Sequence, residues 1–224
     1  RAADLFVVET LFATVTNVDF DPQRLTALIR QGAGVREDVR KAYIEACRKA
    51  GRQPESAGAD AAIELAGDQD GMIRQGEQVT IQKRIDALGN DVAGLQELIT
   101  YGLKGMAAYV DHAHILGQED DSVYAFIHEA MDFLAGNPAD VDALVAMALK
   151  VGEVNLRAME LLDTANTGTY GHPEPTQVRV TPVAGKCILV SGHDLKDLKM
   201  LLEQTEGTGI NVYTHGEMLP CLAY

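Results

Sequence analysis

The sequence predicts a mainly α-helical protein that ends in an α/β segment. A helical bundle domain covers residues 1–163, a linker covers 164–185, and residues 186–224 form the first strand–helix–strand unit of a truncated parallel-sheet (Rossmann-like) domain. Three observations carry this reading. From Asp4 to Asp163 apolar residues recur at helical spacing, with no strand-like alternation of any length and no short-period repeat. From Thr164 to Gly185 the chain concentrates Thr167-Gly168, Gly171, Pro173, Pro175 and Pro182, which disfavour a helix and favour extended chain. From Gly185 to Leu219 it reads as a short apolar run, a capped amphipathic stretch, a glycine stop and a second apolar run.

The elements follow in order. Asp4 to Val15 predicts a helix, and Asn17-Val18-Asp19 a turn. Asp21-Pro22 reads as a helix start, with proline at the first helical position, and the helix can run to about Ala50, weakened at Gly32 and Gly34. Gly51 to Gly58 is a loop. Ala61 to Ala66 and Met72 to Leu88 are read as two helical pieces around a turn at Gly67 to Gly71. Asp91 to Leu116 and Ser122 to Leu134 are the next two helices. Asn137-Pro138 is read as a helix start with Asn as the cap and Asp140 in the first turn. Beyond it Val141, Leu144, Val145, Ala148, Gly152, Leu156, Met159 and Leu162 form one stripe, read as core; bundling is the expected way to bury such stripes.

In the linker, Val178 to Val180 can form a short strand. Cys187 to Val190 is an apolar run too short for a helix and bounded by Gly185 and Gly192, so it is read as a buried strand. Asp194 can cap a helix whose apolar positions are Leu195, Leu198, Leu201 and Leu202, and Gly207 and Gly209 end it. Ile210, Val212 and Tyr213 give a second strand, and the connection implies a parallel pair with a right-handed crossover. Two strands alone are too few for a stable sheet, so the unit needs helix cover.

This topology has a chemical consequence. His193 follows the first strand by three residues and Glu217 follows the second about as closely, at the strand ends where ligands of open parallel sheets collect. Strands about 4.8 Å apart allow an imidazole and a carboxylate there to converge on iron or zinc. A plainer reading stands beside it: Asp194 caps, His193 lines a turn and Glu217 is solvated. Two residues are not a specific motif, and geometry alone favours the plainer reading.

Longer stretches resemble a known family. SGHDLKDL, LLEQTEGTGINVYTHGEMLP, FATVTNVDFD, YGLKGMAAYVDHAHILGQ and TGTYGHPEPTQV are similar to the hybrid-cluster proteins, also called prismane proteins or hydroxylamine reductases. The resemblance covers nearly the whole chain and is weakest from about Arg36 to Gly89. It implies that His193 and Glu217 ligate iron in a hybrid iron–sulfur–oxygen cluster, as the histidine of SGHDL and the glutamate of HGEML do in the family. The implied activity is reduction of hydroxylamine to ammonia, or of related nitrogen–oxygen species, with electrons from a donor protein or reductase. The family's cysteine-rich opening, which holds a second iron–sulfur cluster, and its remaining cluster ligands have no counterpart here. The chain therefore resembles an internal fragment, expected to be inactive alone. Cys221-Leu222-Ala223-Tyr224 also departs from the small and polar residues usual after HGEMLP.

Composition bounds the alternatives. The chain has 224 residues, 46% of them hydrophobic, which suits a soluble globular protein. There is no run of membrane-spanning length and no leader, so neither membrane association nor export is expected, and the setting is cytoplasmic. A net charge of −14 argues against nucleic acid as a partner. Cys47, Cys187 and Cys221 form no close pair, their odd number argues against a disulfide framework, and three thiols fall short of a conventional cluster set. His112 and His114 lie two apart on a helix and diverge by about 200°, so hydrogen bonding or packing is expected of them, as of His128; a structural role is expected of His172. The alternatives are a carbon monoxide dehydrogenase-type cluster enzyme and a non-catalytic helical interaction module. Against a nucleotide-binding module, no GxxxxGK(S/T) or GxGxxG pattern follows a strand.

Overall fold

The computed structural model describes residues 1–15, 21–56, 58 and 62–224. Among them are eight α-helices and one two-stranded parallel sheet, the mainly helical architecture with a small α/β unit that the sequence predicts. The chain divides into two compact units, residues 1–111 with 120–158, and residues 112–119 with 159–224.

The first unit opens with α1 (Ala2–Ala13) and α2 (Pro22–Lys49); the turn predicted at Asn17 to Asp19 lies outside the described residues. Asp21 caps α2 as expected, its Oδ1 accepting from the backbone N–H groups of Gln23 at 3.0 Å and Arg24 at 3.1 Å. Gly32 and Gly34 do not interrupt that helix.

The next stretch corrects the prediction. Residues 63–66 are not helical. Their backbone is held from outside: Arg36 donates to the Ile63 carbonyl, and the Gln75 side chain donates to the Glu64 carbonyl and accepts from the Ala66 N–H. A backbone served by side chains gains nothing from coiling. The single piece expected from Met72 to Leu88 is two helices, α3 (Gln69–Gly76, capped by Asp68) and α4 (Ile81–Leu88).

The core of this unit lies on three long helices, α5 (Asn90–Ile115), α6 (Asp121–Ala135) and α7 (Val141–Tyr170). On α5, Ile99, Leu103, Met106 and Val110 recur at helical spacing and are fully buried, as are Val123, Ile127 and Ala130 on α6. Gln96 is the buried polar residue of this core; its amide donates to Asn137 Oδ1 at 3.2 Å and to the Pro138 carbonyl at 2.9 Å. That contact explains a second correction. Asn137 sits in the left-handed region (φ 48°) and serves Gln96, while Asp140 accepts from the Ala143 N–H at the start of α7.

The α7 stripe is also reassigned. Of the residues predicted to face the core only Leu144 is fully buried, and Val141, Val145, Leu156 and Met159 are exposed. The buried residues are Leu144, Val151, Ala158, Leu161 and Ala165, four of them at a seven-residue spacing. α7 is apolar around much of its circumference, so spacing alone left two stripes to choose between.

The helix also outruns its predicted end at Asp163, continuing to Tyr170 through Thr167-Gly168. Thr164 and Thr167 return their hydroxyls to the Glu160 and Asp163 carbonyls at 2.8 and 2.7 Å, so these residues are satisfied within the helix. It stops at Gly171, in the left-handed region at φ 91°. Residues 178–180 form no strand.

In the second unit β1 (Cys187–Val190) runs parallel to β2 (Asn211–Thr214), with Cys187 opposite Asn211 and Val190 opposite Thr214. Between them lies α8 (Leu195–Thr205), capped by Asp194, and a 3₁₀ segment over Gly216–Ala223 follows β2. Gly207 and Gly209 take φ values of 70° and 72° at the helix stop. β1 is not buried as predicted. Cys187 is exposed and Leu189 is 72% exposed, because the sheet has only two strands and that face of β1 lies open.

Candidate metal centre

The centre is built where the two strands end. The β ladder continues one step past its strands, with the His215 N–H donating to the Val190 carbonyl at 2.9 Å. After Val190 the chain turns through Gly192 (φ 132°), which brings His193 to the carboxyl edge of the sheet just before the Asp194 cap. Asp194 Oδ1 accepts from the backbone N–H groups of Lys196 at 2.7 Å and Asp197 at 3.0 Å. On the other strand, His215 caps the 3₁₀ segment, its Nδ1 accepting from the Glu217 N–H at 3.4 Å. Met218, 1% exposed, anchors that segment, and the Glu174 N–H donates to its Ala223 carbonyl at 2.8 Å.

Both predicted residues therefore meet. His193 Nε2 lies 3.7 Å from Glu217 Oε2, and both side chains are more than half exposed. The separation exceeds a hydrogen bond. Two bonds of about 2.0–2.2 Å to a shared ion would bring the donors to roughly 3 Å, so a small closure suffices for shared ligation. One imidazole nitrogen and one carboxylate oxygen form a donor set suited to iron or zinc. It is incomplete: among the described residues no group of three or more His, Cys, Asp and Glu side chains is arranged to hold a metal ion.

Two further side chains lie near this pair; the sequence reading missed the first, and took the second, Cys221, as a thiol outside any cluster set. His215 Nδ1 stands 3.8 Å from the same Glu217 oxygen, so the carboxylate has an imidazole on either side. The signal was present in Thr214-His215-Gly216-Glu217, where a histidine directly follows the strand. Cys221 Sγ is 3.7 Å from the His193 carbonyl and within reach of donating to it. Burial, with the Asp194 charge adding to it, pushes the Cys221 thiol above its usual range, so at neutral pH it is protonated here.

Of the four remaining histidines, His112, His114 and His128 have carboxylate partners. His112 Nε2 lies 3.8 Å from Asp194 Oδ2, whereas His114 Nδ1 meets Glu119 Oε1 at 2.6 Å, the divergence expected of positions two apart on a helix. In the first unit His128 Nε2 meets Asp4 Oδ1 at 3.0 Å. No helix among the described residues is long and apolar enough to cross a membrane.

Comparison with known proteins adds a family. The Prismane/CO dehydrogenase family matches across residues 1–224. Curated relatives named hydroxylamine reductase include a protein of Rhodospirillum rubrum, 51% identical over 221 residues, 99% of this chain and 40% of the relative. One of Burkholderia ambifaria is 52% identical over 224 residues, 100% of this chain and 40% of the relative. One of Acidiphilium cryptum is 48% identical over 222 residues, 99% and 40% respectively. The chain thus spans about 40% of the length of the curated relatives it matches.

Proposed function

Because the chain belongs to the Prismane/CO dehydrogenase family, we propose that it is part of a hydroxylamine reductase, and that it supplies two ligands, His193 and Glu217, to a hybrid iron–sulfur–oxygen cluster. The observation that carries this reading is the 3.7 Å approach of His193 Nε2 to Glu217 Oε2 at the carboxyl ends of two parallel strands. A carbon monoxide dehydrogenase is the less favoured reading, since the relatives at about half identity are named hydroxylamine reductase. On this reading the other cluster ligands, and a second iron–sulfur cluster, would come from parts of the whole protein outside these 224 residues.

The bound cluster would supply the electrons that break the nitrogen–oxygen bond of hydroxylamine, giving ammonia and water with two electrons and two protons taken up. The chain's own residues would do part of the holding. His193 would present Nε2 to the cluster. Glu217 presents a carboxylate oxygen, and the His215 cap fixes the backbone that carries it. An electron-donor protein or reductase completes the cycle, and a reducing cytoplasmic setting suits three cysteines that are all unpaired.

The test is iron content and hydroxylamine turnover of the full-length protein carrying His193→Ala or Glu217→Gln. Each should lose about tenfold or more in turnover and retain less cluster iron. Wild-type iron and turnover in both variants would remove these residues from the site. The isolated chain, reconstituted anaerobically with iron and sulfide, should show no turnover above that of iron and sulfide alone.

A further inference from the structure

We propose that His112 is a positioning residue for the candidate centre, and that it fixes His193 through Asp194. The proposal rests on the reading of His193 as a metal ligand, and begins from a difficulty that reading creates. Within these 224 residues the His193 side chain is 67% exposed, so nothing in this chain buries its ring, and the preceding Gly192 at φ 132° adds no side chain to stiffen the turn. A ligand must nevertheless be held close to its working geometry.

The turn is anchored at the next residue. Asp194 spends one carboxylate oxygen on the α8 cap, bound by the N–H groups of Lys196 and Asp197. Its other oxygen, Oδ2, faces His112 Nε2 at 3.8 Å, and the two side chains are only 17% and 19% exposed.

A second contact joins the same two elements. α5 ends in a glycine stop at Gly117, φ 82°, where the Gly117 N–H returns to the His114 carbonyl and the Gln118 N–H to the Ala113 carbonyl. That motif leaves the Ile115 carbonyl to another donor, and Lys196 Nζ reaches it at 3.5 Å. His112 and Ile115 are one turn apart on α5, and Asp194 and Lys196 flank the start of α8. The last turn of α5 therefore holds the segment that carries His193 at two points, while the Cys221 thiol contacts the His193 carbonyl.

The test uses the 224-residue chain, with Co²⁺ alone as probe. Amide hydrogen exchange and the imidazole NMR signals are followed in the wild type, His112→Ala and His112→Gln. In His112→Ala, exchange at residues 191–197 should quicken about fivefold or more, with the first unit unchanged. The apparent Co²⁺ affinity read at the His193 ring should fall by a similar factor. His112→Gln, whose amide nitrogen can take the place of Nε2, should restore both; a role in packing alone would be lost equally in the two variants. Unchanged exchange at 191–197 in His112→Ala, or a glutamine variant no better than alanine, overturns the proposal. Failure of the ligand reading looks different: Co²⁺ then leaves the wild-type His193 and Glu217 signals unmoved. In that case faster exchange at 191–197 in His112→Ala still supports the positioning role.

Discussion

Replacing Gly102 by alanine sets two opposing effects against each other in one helix. α5 carries Gly102 and Gly105 one turn apart, and in a helix interior alanine is better than glycine by about 0.8–1.0 kcal/mol. At Gly105 a new Cβ meets nothing within 4 Å, so Gly105→Ala should stabilise by most of that amount. At Gly102 the same carbon falls 2.8 Å from Val151 Cγ1 on α7. Val151 is buried and β-branched, with one strongly preferred rotamer in a helix, so it cannot swing aside. Overpacking of this kind costs about 1–3 kcal/mol, which outweighs the helix gain and leaves Gly102→Ala about 0–2 kcal/mol destabilised. Urea unfolding followed by far-ultraviolet circular dichroism measures both variants, and Gly102→Ala with Val151→Ala should show favourable coupling. If Gly102→Ala stabilises as much as Gly105→Ala, the close approach of these two helices is not a packing constraint.

Other consequences follow from named contacts. Hydrogen bonds from Ser122, with Arg157 adding its own and its charge, hold the Asp120 carboxyl down from an ordinary 3.8 to about 2. That shift corresponds to at most about 2.4 kcal/mol, and about 1–2 kcal/mol after allowing for a side chain still 23% exposed. Because the folded value is the lower one, the stabilisation is present above about pH 4 and is lost as pH falls toward 2. Asp120→Asn should therefore be less stable than the wild type at pH 6, with roughly half of the deficit gone at pH 3; a pH-independent difference refutes the assignment. Gln96→Leu should cost about 1 kcal/mol in urea unfolding, since the Pro138 carbonyl loses its buried donor while Asn137 can turn to water. No loss in that variant would mean the amide merely fills space.

The terminal unit was readable in advance because each of its parts has a strong local signal. Asp194 is a capping residue before a leucine stripe, and Gly207 and Gly209 do at the helix stop what few other residues can. The approach of His193 to Glu217 follows from parallel topology and strand spacing. The ligand role proposed for the pair does not follow from geometry; it rests on the family resemblance. The helical half was less legible in detail. α7 offers apolar residues on more than one face, so only its partners decide which row is buried. Residues 63–66 and Asn137 take their conformations from distant side chains, Arg36, Gln75 and Gln96, which no window of local sequence contains. His215 was missed because its neighbour Glu217 drew the chemical reading.

The parallel pairing of β1 with β2 also bears on how the chain is made. Cys187 cannot pair with Asn211 until the whole of α8 and its glycine stop have left the ribosome, whereas each helix closes its own bonds as it emerges. Contacts of long sequence separation form late, because loop closure must precede any reward. The edge that presents His193 and Glu217 is thus expected among the last parts assembled during synthesis. Iron delivered earlier would meet an imidazole and a carboxylate still on unpaired chain, so on the proposed reading maturation of the metal site would have to wait for the sheet.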